Sequence, residues 1–260
     1  KQYLEHQILQ ETIQDGFVLV ERETESGIRL GLVGVIDLED YDFTPGSDAL
    51  IRATEGTIQS RIPPRLKIRE GASIELPHVM VLIDDPQKQL IEKLYQQKES
   101  LPLLYDTDLM LKGGHIKGYG IVDKLAQDTN QLLVQLQAKA NGFFLAVGDG
   151  NHSLATAKAY WENIKKDLSL LEQEHHPARY TMVELVNLHS PALIFEPIHR
   201  ILFNVDVQDF IAAFKDDLDQ NHIGYQDGNE VIIMDYNQEI GFSFIHDDDR
   251  LPVDILQRFI

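Results

Sequence analysis

The sequence predicts an α+β fold of mixed sheets and packed helices, with a strand-turn-helix anion site at 143–165. Three observations carry this reading. Hairpin-type strand pairs, 17–22 with 29–38 and 231–236 with 239–245, are interspersed with strand-helix units rather than following one repeating order. Residues 122–140 and 206–219 carry helical patterning. Residues 143–147 read as a buried strand, and the polar turn Gly148-Asp149-Gly150 leads directly into a helix.

The elements follow in order. Residues 17–22 and 29–38 read as strands joined by the turn Glu25-Ser26-Gly27, and 40–47 as a polar loop around Pro45-Gly46. Residues 50–70 form a basic island in an acidic chain. A short apolar strand at 78–83 stops at Asp84-Asp85-Pro86. A helix is expected over 87–99, with Leu90, Ile91, Leu94 and Tyr95 on one face. Residues 101–105 read as a strand and the Gly-rich 113–120 as a hairpin, because it lacks the Gly-Lys-Ser/Thr ending of a phosphate loop. The helix at 122–140 is closed by Asn141-Gly142. His175-His176-Pro177 lies in a connecting loop. Residues 180–188 and 193–203 read as strands interrupted by Ser190-Pro191. An amphipathic helix at 206–219, a hairpin at 231–245 and the start of a terminal helix complete the chain. No internal repeat or low-complexity tract is present. The expected organisation is a main α+β domain, 1–205, carrying the motifs, and a smaller α/β subdomain, 206–260. The chain lacks an initiator Met and ends in what reads as a helix cut short, so a fragment of a longer protein is expected.

Composition narrows the function classes. With 42 acidic and 23 basic residues the net charge is −19, which argues against a nucleic-acid binder with its basic footprint. A few local arginines could still hold one nucleotide. The absence of Cys removes disulfides, thiol nucleophiles and Cys-based metal sites. No apolar run reaches membrane-spanning length, and 3–13 is too polar for a secretory signal, so a cytoplasmic location is expected.

The turn at 148–152 offers the most chemistry. Gly148 and Gly150 permit a sharp reversal and close approach by a ligand. Asp149 or Asn151 can cap the helix, whose Leu154, Ala157, Trp161 and Ile164 recur at helical spacing. Its free N–H groups would face an anion, with His152 and Asp149 beside them. The same residues also suit a plain strand-to-helix connection.

The basic island holds Arg52, Glu55, Arg61, Arg65, Lys67 and Arg69. Arginine forks suit carboxylate or phosphate oxygens. Lys67 and Arg69 read as surface ion-pair residues, Arg52 and Arg61 as ligand-directed. Glu55 is a candidate general base or metal ligand, or else the salt-bridge partner of Arg52. Pro197-Ile198-His199-Arg200 can grip an anion or form a strand bend. His175-His176 and His246-Asp247-Asp248-Asp249 lack zinc-site spacing and read as solvated loops. Neither a Gly-x-Ser-x-Gly elbow nor a Gly-x-Gly-x-x-Gly fingerprint occurs.

Arg52-Ala53-Thr54-Glu55, Arg61, Arg65, Asp149-Gly150-Asn151-His152, Met182, Asn187-Leu188 and Pro197-Ile198-His199-Arg200 occur in one order. The combination resembles the prokaryotic domain of unknown function 1015 family over about residues 15–260. That family shows an Arg-Pro-His-Glu-like element, a later Arg, an Asp-Gly-His-His-Arg element and a Pro-x-His-Arg element. Its Asp-Gly-x-His element is similar to one in the ParB/sulfiredoxin-like superfamily, where the turn and helix start contact nucleotide phosphates. Some members of that superfamily resemble nucleotide-dependent kinases of free serine. The resemblance implies that Gly150, Asn151 and His152 line a phosphate site. Two positions depart from the pattern: Ser153 replaces an Arg, and Thr54 stands where the family often has His.

The function expected from these residues is nucleotide-dependent phosphoryl transfer or phosphate hydrolysis on a small metabolite. Asp149, His152 and Glu55 would be catalytic. Arg52, Arg61, Arg65, Gly150, Asn151, Ser153, His199 and Arg200 would bind ligand. The cofactor would be ATP or ADP with Mg²⁺, although no metal-ligand set is legible. The alternative is a non-catalytic protein that binds a nucleotide or an anionic metabolite. The expected partners are that small anion and a second copy of the chain in a homodimer, not nucleic acid or membrane.

Overall fold

The structure, a computed structural model, describes residues 2–194, 199–245 and 250–260. The chain divides into two compact units, Lys1–Ile194 and Phe195–Ile260.

The first unit begins with one helical turn, α1 (Gln2–Glu5). β1 (Phe17–Thr24) and β2 (Gly27–Asp37) form the expected hairpin. Gly27 makes the reversal at φ 124°, a conformation a side chain would disfavour. The short strands β3 (Tyr41–Asp42) and β4 (Ile51–Ala53) precede α2 (Ile62–Arg69). Pro63 and Pro64 fall in the first turn of α2, where a missing N–H removes no helical bond. Then come β5 (Met80–Ile83), α3 (Ile91–Tyr95), β6 (Leu103–Asp108), β7 (His115–Ile121) and α4 (Asp123–Lys139). β8 (Leu145–Asp149), α5 (Asn151–Ile164), α6 (Leu170–His175) and β9 (Tyr180–Asn187) complete the unit.

Among the described residues, nine strands form one sheet in the order β3-β4-β8-β5-β9-β2-β1-β7-β6. The pairs β3/β4, β4/β8 and β5/β9 are parallel and the others antiparallel, so the sheet is mixed. Leu19, Leu32, Val81, Val147, Val183 and Leu185 from its strands cluster with Leu94, Leu136, Leu154 and Trp161 from α3, α4 and α5. This burial fixes α5, and therefore the turn before it, against the sheet.

The second unit holds α7 (Val207–Gln220), β10 (Gly224–Met234), β11 (Glu239–Ile245) and α8 (Pro252–Phe259). Asp206 caps α7 by accepting the N–H groups of Gln208 and Asp209. Phe214 is fully buried among Ile211, Leu218, Ile223, Phe242 and Ile255.

Several elements differ from the sequence reading. Most of the Gly-rich 113–120, read as a hairpin, forms the single strand β7 paired with β6, and His175, read as loop, ends α6. The helix expected over 87–99 is only α3, followed by a 3₁₀ turn at Lys98–Ser100. Asp85 accepts the Leu90 N–H at 2.9 Å and Lys88 has φ 54°, so this segment is held as a turn. Residues 199–203 form no strand, while 195–198 of the expected 193–203 strand lie outside the described residues. β10 begins at Gly224, ahead of the expected 231, because a bulge between Asp227 and Val231 lets pairing continue past Gly228. The segment His246-Asp247-Asp248-Asp249 also lies outside the described residues.

Candidate functional site

β8 ends at Asp149 and α5 starts at Asn151, so one residue makes the turn. Gly150 occupies the N-cap position at φ 86°, in the left-handed region. Asp149 does not cap the helix; its Oδ1 accepts the neighbouring Gly150 N–H at 2.7 Å. Asn151 does not cap it either. Its side chain turns inward, 3 % exposed, with Nδ2 at 3.5 Å from both Thr54 Oγ1 and Val147 O. No side chain caps the first N–H groups of α5. The positive end of the helix dipole lies there.

His152 is held from two sides. The Ile58 N–H donates to its Nε2 at 3.3 Å, and its Nδ1 lies 4.0 Å from Glu55 Oε1. Accepting at Nε2 requires that nitrogen to be unprotonated, so the neutral ring carries its proton on Nδ1, on the Glu55 side. Glu55 itself is 63 % exposed, with its carboxylate open to solvent. Two buried oxygens nearby in the chain have no hydrogen-bond partner, Asn151 Oδ1 and Thr57 Oγ1.

Arg65 of α2 and Ser153 of α5 line one pocket of about 280 Å³, together with Ile68, Arg69, Ile74 and Thr156. Arg69 pairs with Glu75. Arg61 and Arg65 are exposed, and their side chains make no hydrogen bond or ion pair among the described residues. Arg52 is engaged elsewhere. Its guanidinium donates to Ala49 O at 2.7 Å and Gly142 O at 3.0 Å and sits 4.6 Å from the centre of the Phe143 ring. Phe143 precedes β8, whereas the Asp149 turn follows it. His199 and Arg200 belong to the second unit, where Arg200 donates to Gln257 Oε1 at 2.6 and 3.0 Å. The structure thus brings Glu55, His152, Asn151 and Gly150 together, and sets Arg65 beside Ser153.

A second polar group was not anticipated. Glu184 of β9 is 5 % exposed, with Arg29 and His78 on its carboxylate. Met80 is the direct strand partner of both Asp149 and Glu184, so Glu184 lies two strands across the sheet from Asp149, while the His78 carbonyl lies against Gly150. The signal available in the sequence was one carboxylate inside the apolar run Met182-Val183-Glu184-Leu185-Val186.

No helix among the described residues is long and apolar enough to cross a membrane. No curated protein and no solved structure matches the chain. Residues 1–253 match the family described as "Protein of unknown function (DUF1015)", and the chain belongs to that family.

Proposed function

We propose that this protein binds the phosphates of a nucleotide at the start of α5 and moves a phosphoryl group to a small hydroxyl-bearing metabolite or to water. The uncapped first turn of α5, with His152 fixed beside it, carries this reading. Helix starts with free N–H groups favour phosphate. Arg61 and Arg65 have no protein partner and supply positive charge from neighbouring segments. The likeness of Asp149-Gly150-Asn151-His152 to the ParB/sulfiredoxin-like element supports the same assignment.

The residues present suit ATP or ADP with Mg²⁺. Among the described residues no cluster of three or more His, Cys, Asp or Glu is placed to hold a metal. Mg²⁺ needs only one or two carboxylates when phosphates complete its shell, and Asp149 would provide one. When bound, the metal would neutralise phosphate charge. Glu55 would accept the proton of the acceptor hydroxyl. His152 Nδ1–H would orient that carboxylate or donate to a phosphoryl oxygen.

A second reading is binding without turnover. Ser153 in place of the family's Arg favours it, because one charged contact to phosphate is missing. A phosphoryl-transfer assay with ATP or ADP, Mg²⁺ and a panel of hydroxyl metabolites separates the two. Turnover that falls about 10²- to 10³-fold in His152→Ala supports catalysis. Nucleotide binding with no turnover supports the second reading. Turnover untouched in His152→Ala contradicts the role given to that residue.

A further inference from the structure

Arg22 on β1 and Arg29 on β2 are direct cross-strand partners, so their side chains leave the sheet on one face. Directly opposed residues have Cβ atoms about 4.5–5.5 Å apart, and like charges there repel. Such a pair needs an anion.

The chain supplies one, and it is already occupied. Arg29 Nη2 donates to both Glu184 oxygens at 3.3 Å, and His78 Nε2 lies 2.5 Å from Oε2. The Arg22 side chain makes no hydrogen bond or ion pair among the described residues. Its Nε is buried without a partner, and so is Arg29 Nε. Solvent therefore does not satisfy these donors, as it would on a surface arginine. The hydrogen bond to Glu184 pushes the His78 pKa up, which favours its cationic form. Arg22 thus stands beside an arginine and a histidine that already share one carboxylate, in a chain whose net charge is −19.

The floor of this face has room because of two glycines. A Cβ on Gly31 would come 2.3 Å from Glu184 Oε1, and one on Gly118 would come 2.2 Å from Tyr105 Cζ. Their absence lets the carboxylate and the Tyr105 ring lie close to the sheet.

We propose that Arg22, Arg29 and His78 form an anion-binding site on this face of the sheet, positioned by Glu184 and taking a carboxylate or phosphate group of a small molecule. Arg22 supplies the free fork. Glu184 holds Arg29 and His78 in place and is itself neutralised by them. This site stands independently of the α5 reading, since it shares no residue with it.

The test is a titration of the 260-residue chain with inorganic phosphate and, separately, with acetate, at constant ionic strength. Binding is followed by calorimetry and by the ring resonances of His78, assigned with His78→Gln. One saturable event that moves the His78 signals is expected. Arg22→Gln should weaken it at least tenfold without lowering Tm, because Arg22 has no protein partner to lose. Arg22→Lys should recover part of the affinity, keeping the charge but not the fork. His152→Ala should leave the event intact, which separates it from nucleotide binding at α5. Saturation by phosphate alone or by acetate alone assigns the group the site takes. Unchanged affinity in Arg22→Gln, or saturation by neither probe, overturns the proposal.

Discussion

Glu184 shows how much one buried carboxylate asks of its neighbours. Burial alone would raise its pKa, yet His78 and Arg29 hold it below the usual carboxylate range. Removing a partner from a buried charge is costly, whereas removing an unpaired cation is not. Arg29→Met is therefore expected to destabilise the chain by about 3–5 kcal/mol, and Arg22→Gln to change stability by less than about 0.5 kcal/mol. Urea denaturation of the two variants reads this contrast, and equal losses would contradict it. The pH dependence has a definite sign. His78 has a raised folded pKa, so its stabilisation is full below the unfolded value of about 6.5 and is lost as pH rises through the folded value. Glu184 has a lowered folded pKa, so its contribution is present above the unfolded value and is lost as pH falls through the folded one. His78→Gln should flatten the decline in stability above about pH 6.5, measured by denaturation at fixed salt. A decline of unchanged slope would place the titrating group elsewhere.

At the scale of the element, the β8–α5 junction is set by Gly150. Its φ of 86° favours glycine, and an added Cβ would meet Val79 Cα at 3.2 Å and His78 O at 3.3 Å. Gly150→Ala should cost about 1–2 kcal/mol from the left-handed backbone alone. It should also weaken any ligand held by the first turn of α5, since the turn must shift to relieve the contact. Denaturation together with ligand titration checks both effects. A fully stable variant with unchanged binding would show that the turn adapts freely. The junction was legible in the sequence because its parts are local: an apolar strand, two glycines and an Ala-rich helix start. The cap was misread because Asp149 and Asn151 are both good capping types. The chain instead gives the N-cap position to Gly150 and buries Asn151 toward Thr54 and Val147.

Across the whole molecule, what was legible follows the range of the interactions. The β1–β2 hairpin, α4, α5 and α7 are specified by alternation, helical spacing and caps within a few residues. The nine-strand order is not, because β4, β8, β5 and β9 come together from distant parts of the chain. Strands of two or three residues such as β3 and β4 carry too little pattern to be seen. The motif residues divide the same way. Glu55 and His152 meet because β4 lies parallel to β8, which carries the segments after each strand to one end of the sheet. Arg52, on the same strand as Ala53, instead turns to Gly142 and Phe143. The Arg22–Arg29–His78–Glu184 group was hidden because it draws on β1, β2, β9 and the segment before β5. With a net charge of −19, any phosphate binding must come from such local groups rather than from the field of the whole chain.

The central claim is that the start of α5 holds nucleotide phosphates, and the most direct test is thermal stability of the wild-type chain with and without millimolar ATP or ADP plus Mg²⁺. A ligand at about 100 times its Kd adds about 2.7 kcal/mol, which appears as a clear rise in Tm. The account predicts that rise in wild type and a smaller one in His152→Ala and Arg65→Gln. No rise with either nucleotide would contradict it.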